Sequence, residues 1–472
     1  MPAPPETDPG TSPASAPTPG AEPARARRVL GAWLADGVTK GNMWALLALA
    51  TAGTAVISFL PSAQPHVLSV ILGLPESRQG TVVGLLNTAA EIAMVVSLAW
   101  YGALADRFGR RVIVVAGLAL CAAGTALFPF AGNTAALAGL RVVFGLGVAA
   151  INAMLSTIAI DYVRSRSRGA SYGLVGFFGG LGALVAVLVL VRLPQTLESG
   201  GMEPVRAART AFLLIAAGIV AAAGLLWLTL SGRRPVAAAR VPLVRLVREG
   251  VALVRDPGVA LSYAASFVAR ADLAIVVAFM SLWIKNYGTE HGGLTGAAAL
   301  AKAGAVVGVS QMVALLCAPL FGWLGDRVRR QDLVVLAQAV AAVAYLSTLL
   351  VTDPLGPGMM LVAVLIGVGE IAAITTAGPL LAQQAPAEVR GSAFGVHTLC
   401  GAAGVMIVSA LGGALFDAWR PAGPFVVAGV FSLAVACFGL AVRRRVTPRT
   451  EADVAGEAVP GPQARRDGSG SR

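Results

Sequence analysis

An all-α integral membrane protein, with about twelve transmembrane helices in two pseudo-symmetric six-helix bundles, is the fold this sequence predicts. Three observations carry that expectation. The 472 residues are 56% hydrophobic with a mean hydropathy of +0.76, and only 13% are charged, about half the share found in soluble domains. The apolar residues gather into runs of about 20, the length that crosses the hydrocarbon as a helix with every backbone N–H paired internally. The second half of the chain also repeats the pattern of the first at an offset of about 220 residues.

Residues 1–24 are Pro, Ala, Ser and Thr with almost no large apolar side chain, and they predict a disordered tail. The tail has neither the basic start nor the apolar core of a cleavable signal, so the first membrane helix is expected to direct insertion. An N-terminal bundle, 25–231, follows with runs at 41–60, 80–103, 112–131, 134–160, 170–193 and 210–231. A basic connection, 232–258, has Leu243, Leu246, Val247 and Val251 on one face. It reads equally as a helix lying on the inner leaflet or as a plain linker. The C-terminal bundle, 259–445, places runs at 259–284, 299–323, 332–351, 357–382, 392–416 and 421–442, and 446–472 form a second disordered tail. Gly and Pro in "AGNT" and "TDPLGPG" mark tight turns between the third and fourth and between the ninth and tenth spans.

An even number of spans puts both termini on one side. Short loops on that side hold about 22 basic residues against about seven opposite, so a multi-pass plasma-membrane protein with both termini cytoplasmic is expected. The net charge of +12 sits in short clusters between apolar runs, with no aromatic-interleaved basic patch, which argues against nucleic-acid binding. Cys121, Cys317, Cys400 and Cys437 lie inside apolar runs without CxxC spacing, so neither a metal site nor a disulfide framework is expected. No cofactor is implied. The chain lacks G-x-x-x-x-G-K-[ST], H-E-x-x-H and G-x-S-x-G, which argues against an ATP-driven pump or a membrane enzyme. Membrane lipid is its surrounding partner and a monomer its expected state.

The repeat is specific. "RVVFGLGVAAINAMLSTIAIDYVRSRSRGASYG" from Arg141 aligns with "VAVLIGVGEIAAITTAGPLLAQQAPAEVRGSAFG" from Val362. It places Gly145 on Gly367, Gly147 on Gly369, and Arg168-Gly169 on Arg390-Gly391. "GALADRFGRR" at 102–111 likewise matches "GWLGDRVRR" at 322–330. Two parallel halves related by an axis along the membrane normal follow.

These residues resemble the major facilitator superfamily. Gly102, Asp106, Arg107, Gly109, Arg110 and Arg111 fit its signature G-x-L-[AG]-D-R-x-G-R-[RK] between the second and third spans. Arg141, Gly145 and Gly147 fit its fourth-span motif R-x-x-x-G-x-G. The resemblance covers about residues 29–445 and implies a transporter working by alternating access. The family's antiporter signature G-P-x-x-G-G is not matched, because the fifth span reads "GFFGGLGALV" without the proline. The second loop copy lacks the glycine after "DRV", so its turn must be built differently.

Gly102 and Gly322 are expected to permit close helix approach. Asp106 and Asp326, with Arg107 and Arg327 beside them, can hold a neighbouring helix's free N–H groups or pair with an arginine. The resemblance implies that such a latch biases the state open to the outside. The alternative, that these charges only fix orientation, accounts for the arginines but not for an aspartate placed twice.

A charge at the bilayer centre costs roughly 2.5–3.5 kcal/mol even on the insertion scale, so each deep ionisable residue is a functional candidate. These are Glu91, Arg141, Arg270, Asp272 and Glu370, with His397 as a packing histidine or a proton relay. The resemblance implies that spans 1, 4, 7 and 10 surround the central cavity, which makes Arg141, Arg270, Asp272 and Glu370 cavity-lining candidates. Arg270 and Asp272 are two residues apart, on opposite helix faces, so they cannot pair with each other. Three carboxylates against two guanidiniums favour one carboxylate carrying a proton. Glu370 is the first candidate for that proton, standing where the first half has Val148; Asp272 is the second, and Glu91 the third. A permanent Arg270–Glu370 ion pair is the competing reading. Glu91 shares a face with Asn87 and is expected to make an interhelical hydrogen bond. Asn42, Trp44, Asn152, Trp283 and Thr375 are the expected polar and aromatic solute contacts, although such residues also cap backbones and anchor helix ends. The resulting expectation is a secondary active transporter of a small organic solute, working as a proton-coupled exporter. Proton–solute symport or facilitated uptake is the alternative, and a non-transporting sensor is a remote one.

Overall fold

The computed structural model describes residues 28–446 except 36, 165–166, 233–242, 326 and 387–388. The expected terminal tails therefore lie outside the described residues, apart from Val446. Twelve helices are long and apolar enough to cross a membrane: Lys40–Ile71, Glu76–Ser97, Arg110–Phe130, Thr134–Asp161, Gly169–Ser199, Pro204–Thr229, Pro257–Glu290, Gly296–Gly325, Arg330–Leu350, Pro357–Gln384, Arg390–Ala418 and Gly423–Val442. We call them spans 1 to 12. The helix of span 2 runs on to Phe108. Each overlaps its expected run, because a segment of this length in lipid must pair every backbone group within itself.

The described chain starts as a two-residue hairpin, Arg28–Val29 paired with Ala32–Trp33. Ala35 N–H donates to the Tyr162 carbonyl and Arg164 N–H to that of Trp33, so the hairpin sits at the end of span 4. Val446 lies against the beginnings of spans 7 and 9, where its carbonyl accepts from Gln331. Both described ends thus lie on one side, the terminus side; the opposite one is the far side.

Within each half the repeat is a packing device. A Cβ on Gly145 would strike the Ala90 carbonyl of span 2, and one on Gly367 would strike the Ser310 carbonyl of span 8. Gly147 is pressed on Gly117 and Cys121 of span 3, and Gly369 on Ala341 and Ala344 of span 9. Without a hydrophobic drive between helices in lipid, such backbone approach supplies the dispersion contact that binds them. Spans 1 and 7, equivalent in the two halves, each contain one wide π-type turn, at Val67–Ile71 and Val276–Met280.

Span 2 packs on span 11 and span 5 on span 8, and these are the main contacts between the halves, with span 1 adding contacts to spans 7 and 8. Gly84 abuts the Ser409 carbonyl, Gly413 abuts that of Gly80, and Gly304 abuts that of Val187. Among the described residues, the glycine contacts and hydrogen bonds across the seam cluster toward the far side, with Gly180 on Leu315 nearer the middle. The halves are therefore shut at the far side and the space between them opens toward the terminus side.

Part of the basic connection forms a helix, Leu243–Ala252. It packs on the terminus-side end of span 11, with Gly250 against Ser392 and the Tyr263 hydroxyl donating to the Gly250 carbonyl at 2.9 Å.

Candidate functional site

The deep ionisable residues separate into two groups. In the first, Arg270 of span 7 crosses the seam, its Nη2 donating to Glu91 Oε1 of span 2 at 3.2 Å. The Arg270 side chain keeps 39% of its surface exposed, whereas Glu91 keeps 8%. Its methylene stem runs over Gly401 of span 11, where any Cβ would displace it. Arg141 of span 4 is buried beside this pair and donates from Nη2 to Asn87 Oδ1 at 3.3 Å. Its Nε has no hydrogen-bond partner. Glu91 therefore does make an interhelical contact, but with a guanidinium.

The second group lies inside the C-terminal half. Glu370 of span 10 is buried, and both its oxygens accept from Gln311 Nε2 of span 8, at 3.1 and 3.3 Å. Asp272 is fully buried, and neither of its oxygens has a hydrogen-bond partner. The Tyr345 hydroxyl of span 9 is likewise buried and without a hydrogen-bond partner. The ion pairs found among the described residues include neither Asp272 nor Glu370. The competing Arg270–Glu370 pair is not formed; Arg270 meets Glu91 instead, because the face of span 7 carrying Arg270 is turned to the seam and that of Asp272 is not. His397 is a packed histidine here: its Nδ1 lies 3.3 Å from the Ser262 hydroxyl, and its carbonyl accepts from Ser266.

Several expected solute contacts are engaged within the protein. Asn42 completes a capping box with Thr39 and donates to the Thr229 carbonyl at 2.8 Å, tying span 1 to the end of span 6. Trp283 is buried against Phe425 on the far side, beyond the central cavity. Thr375 donates to the Ile371 carbonyl of its own helix at 2.7 Å. Trp44, edge-on to Phe178, and Asn152, beside Met94, remain exposed.

The loop motif is partly explained. Gly109 has φ +92°, a conformation that side chains resist, and its N–H closes span 2 on the Ala105 carbonyl. Arg110 pairs with Asp161 at the end of span 4. Arg107 lies over the Phe108 ring, and Arg327 lies 3.9 Å from the Trp323 ring centroid. Without a glycine, the second copy turns through bonds from Arg327 and Val328 to the Leu324 carbonyl. Gly322 does not permit close approach in this state, since a Cβ there would meet nothing within 4 Å. Asp326 and the side chain of Asp106 lie outside the described residues, as does any contact at Gly102.

Sequence reasoning missed a latch at the opposite end. Asp417 of span 11 accepts from the N–H groups of Gly80 and Thr81 in the first turns of span 2, at 2.8 and 2.7 Å. A carboxylate at the positive end of a helix is a favourable contact. Glu198 of span 5 meets the Thr295 hydroxyl at the beginning of span 8, at 3.5 Å, in the equivalent place across the other seam. A pocket of about 270 Å³ opens beside Asp417, lined by Glu76, Glu290, His291, Tyr287 and Trp283 among others. The signal in sequence was an acid at each of two equivalent helix ends.

A profile of the Major Facilitator Superfamily matches residues 45–314 and 262–467. The chain belongs to the Major Facilitator Superfamily. Superfamily relatives include the magnetosome protein MamZ of Paramagnetospirillum magneticum, 26% identical over 406 residues, which are 83% of this chain and 61% of that protein. This chain thus spans about three-fifths of that relative's length. The multidrug resistance efflux pump PmrA of Streptococcus pneumoniae is 25% identical over 369 residues, covering 76% of this chain and 85% of the relative. The crystal structure of the nucleoside transporter NupG superposes with a TM-score of 0.67 at 15% identity, over 86% of this chain and all of the other, and so shares the fold.

Proposed function

We propose that this protein is a secondary active transporter of a small organic solute, coupled to protons through Glu370 and working in export from a cell whose cytoplasm holds both termini. One observation carries the coupling: Asp272 and Glu370 are buried together in one half, and among the described residues no cation is paired to either. Two such carboxylates cannot both stay ionised at bearable cost, so protons are the neutralising partners at hand. Glu370 is the better carrier because Gln311, its hydrogen-bond donor, comes from span 8, a helix that also lines the seam. Proton uptake at Glu370 weakens that bond and so informs the seam. Similarity to an efflux pump supports the export direction. The missing proline in the fifth-span signature favours the second reading, proton–solute symport.

Glu370→Gln in proteoliposomes is expected to abolish pH-driven solute flux while leaving solute exchange intact. Undiminished proton dependence overturns the proposal. In inverted vesicles without a preset gradient, adding solute acidifies the medium if the protein exchanges and alkalinises it if the protein co-transports.

A further inference from the structure

The seam group has an unbalanced charge and an open donor face. Arg270 and Arg141 bring two guanidiniums, and among the described residues Glu91 is the carboxylate beside them. Arg270 spends one nitrogen on Glu91, through a single bond to one oxygen, although the fork can hold a carboxylate by two parallel bonds. The guanidinium is also far more exposed than its partner, and it spans from one half to the other, so its open edge gives onto the space between them. Behind it, the buried Arg141 Nε is without a partner. The groups packed around Arg270 do not offset the surplus: Gly401 and Ser266 are neutral, and His397 is occupied with Ser262. Asp272, on the opposite face of span 7, is sealed within the other group.

From this geometry we propose that the transported solute is an organic anion whose carboxylate docks on the free edge of Arg270. With the anion in place, two guanidiniums face two carboxylates, and the seam group is neutral. Glu91 then acts as the resident counter-ion that keeps Arg270 aimed into the cavity between solutes. The inference names the solute class for the transport reading above, and it stands apart from the choice of coupling proton.

The test is a thermal-shift screen of the full-length protein in nanodiscs at pH 7.5. The ligands are a panel of aliphatic and aromatic monocarboxylates from acetate to octanoate, with benzoate and phenylacetate, each beside its primary amide. Acids are expected to stabilise the protein and their amides to be silent. Arg270→Ala should weaken the best acid about 100-fold and Arg270→Lys, which keeps the charge but not the fork, about 10-fold. Glu91→Gln should tighten it, since an internal competitor is removed. Stabilisation by amides as strong as by acids, no stabilisation by any acid, or acid binding unchanged in Arg270→Ala would each overturn the proposal. A neutral solute that binds and moves with protons would sink this inference and leave the coupling intact; acid binding without proton-driven flux would do the reverse.

Discussion

At the residue scale, the far-side latch invites the sharpest test. Asp417 satisfies two N–H groups of span 2 from the other half of the protein, so its value depends on the far side being shut. Asp417→Asn keeps the shape and removes the charge. It should weaken the shut state by about 0.3–2 kcal/mol, the worth of a carboxylate near the positive end of a helix. Thiol-reagent access to a cysteine placed at Ser77, beside the pocket, is expected to rise accordingly. These residues also show what was legible. Glu91, Arg141, Arg270, Asp272 and Glu370 stand out in sequence because a charge in an apolar run has no cheap explanation. Their pairing was not legible, because Arg270 meets Glu91 through the rotation of span 7 and the approach of span 11 at Gly401, set by contacts distant in the chain. Asn42 and Thr375 misled for a related reason: a polar side chain near helix backbone finds a carbonyl before it finds a solute.

At the element scale, most spans were legible nearly to their ends, since their length is dictated by the hydrocarbon; span 1, expected to stop at 60, runs on through Pro61 and Pro65 to Ile71. The glycine pairs within them were legible as a repeat, and the structure supplies the cause. Gly147 and Gly369 are the points where spans 4 and 10 touch spans 3 and 9 through backbone. Gly147→Leu should force those helices apart at a cost of about 1–3 kcal/mol, read as a lowered unfolding temperature in detergent. The same change at Gly139, where a Cβ meets nothing within 4 Å, should be silent. The wide turns in spans 1 and 7 left no signal in composition. The turn in span 7 lies against span 1 and that in span 1 against span 6, contacts between parts distant in the chain.

For the whole molecule, the contacts across the seam define a closed far side, one of the two states that the transport proposed above needs. Joining span 5 to span 8 at Glu198 and Thr295 should hold that state. In a background where the four native cysteines are replaced, cysteines at these positions bridged by a short thiol-cleavable reagent are expected to stop turnover. Reduction should restore it; full activity in the bridged protein would mean that the far side does not part during transport.

The glycines of that seam have one more consequence. Where Gly84 lies on the Ser409 carbonyl and Gly413 on that of Gly80, backbone meets backbone with no room for a water molecule. A continuous file of water is what lets hydrogen ions hop through a membrane unaccompanied. In the proton-coupled transport proposed above, the bare-backbone closure would serve as electrical insulation, keeping the gradient from being short-circuited while the proposed solute site stands open to the other compartment.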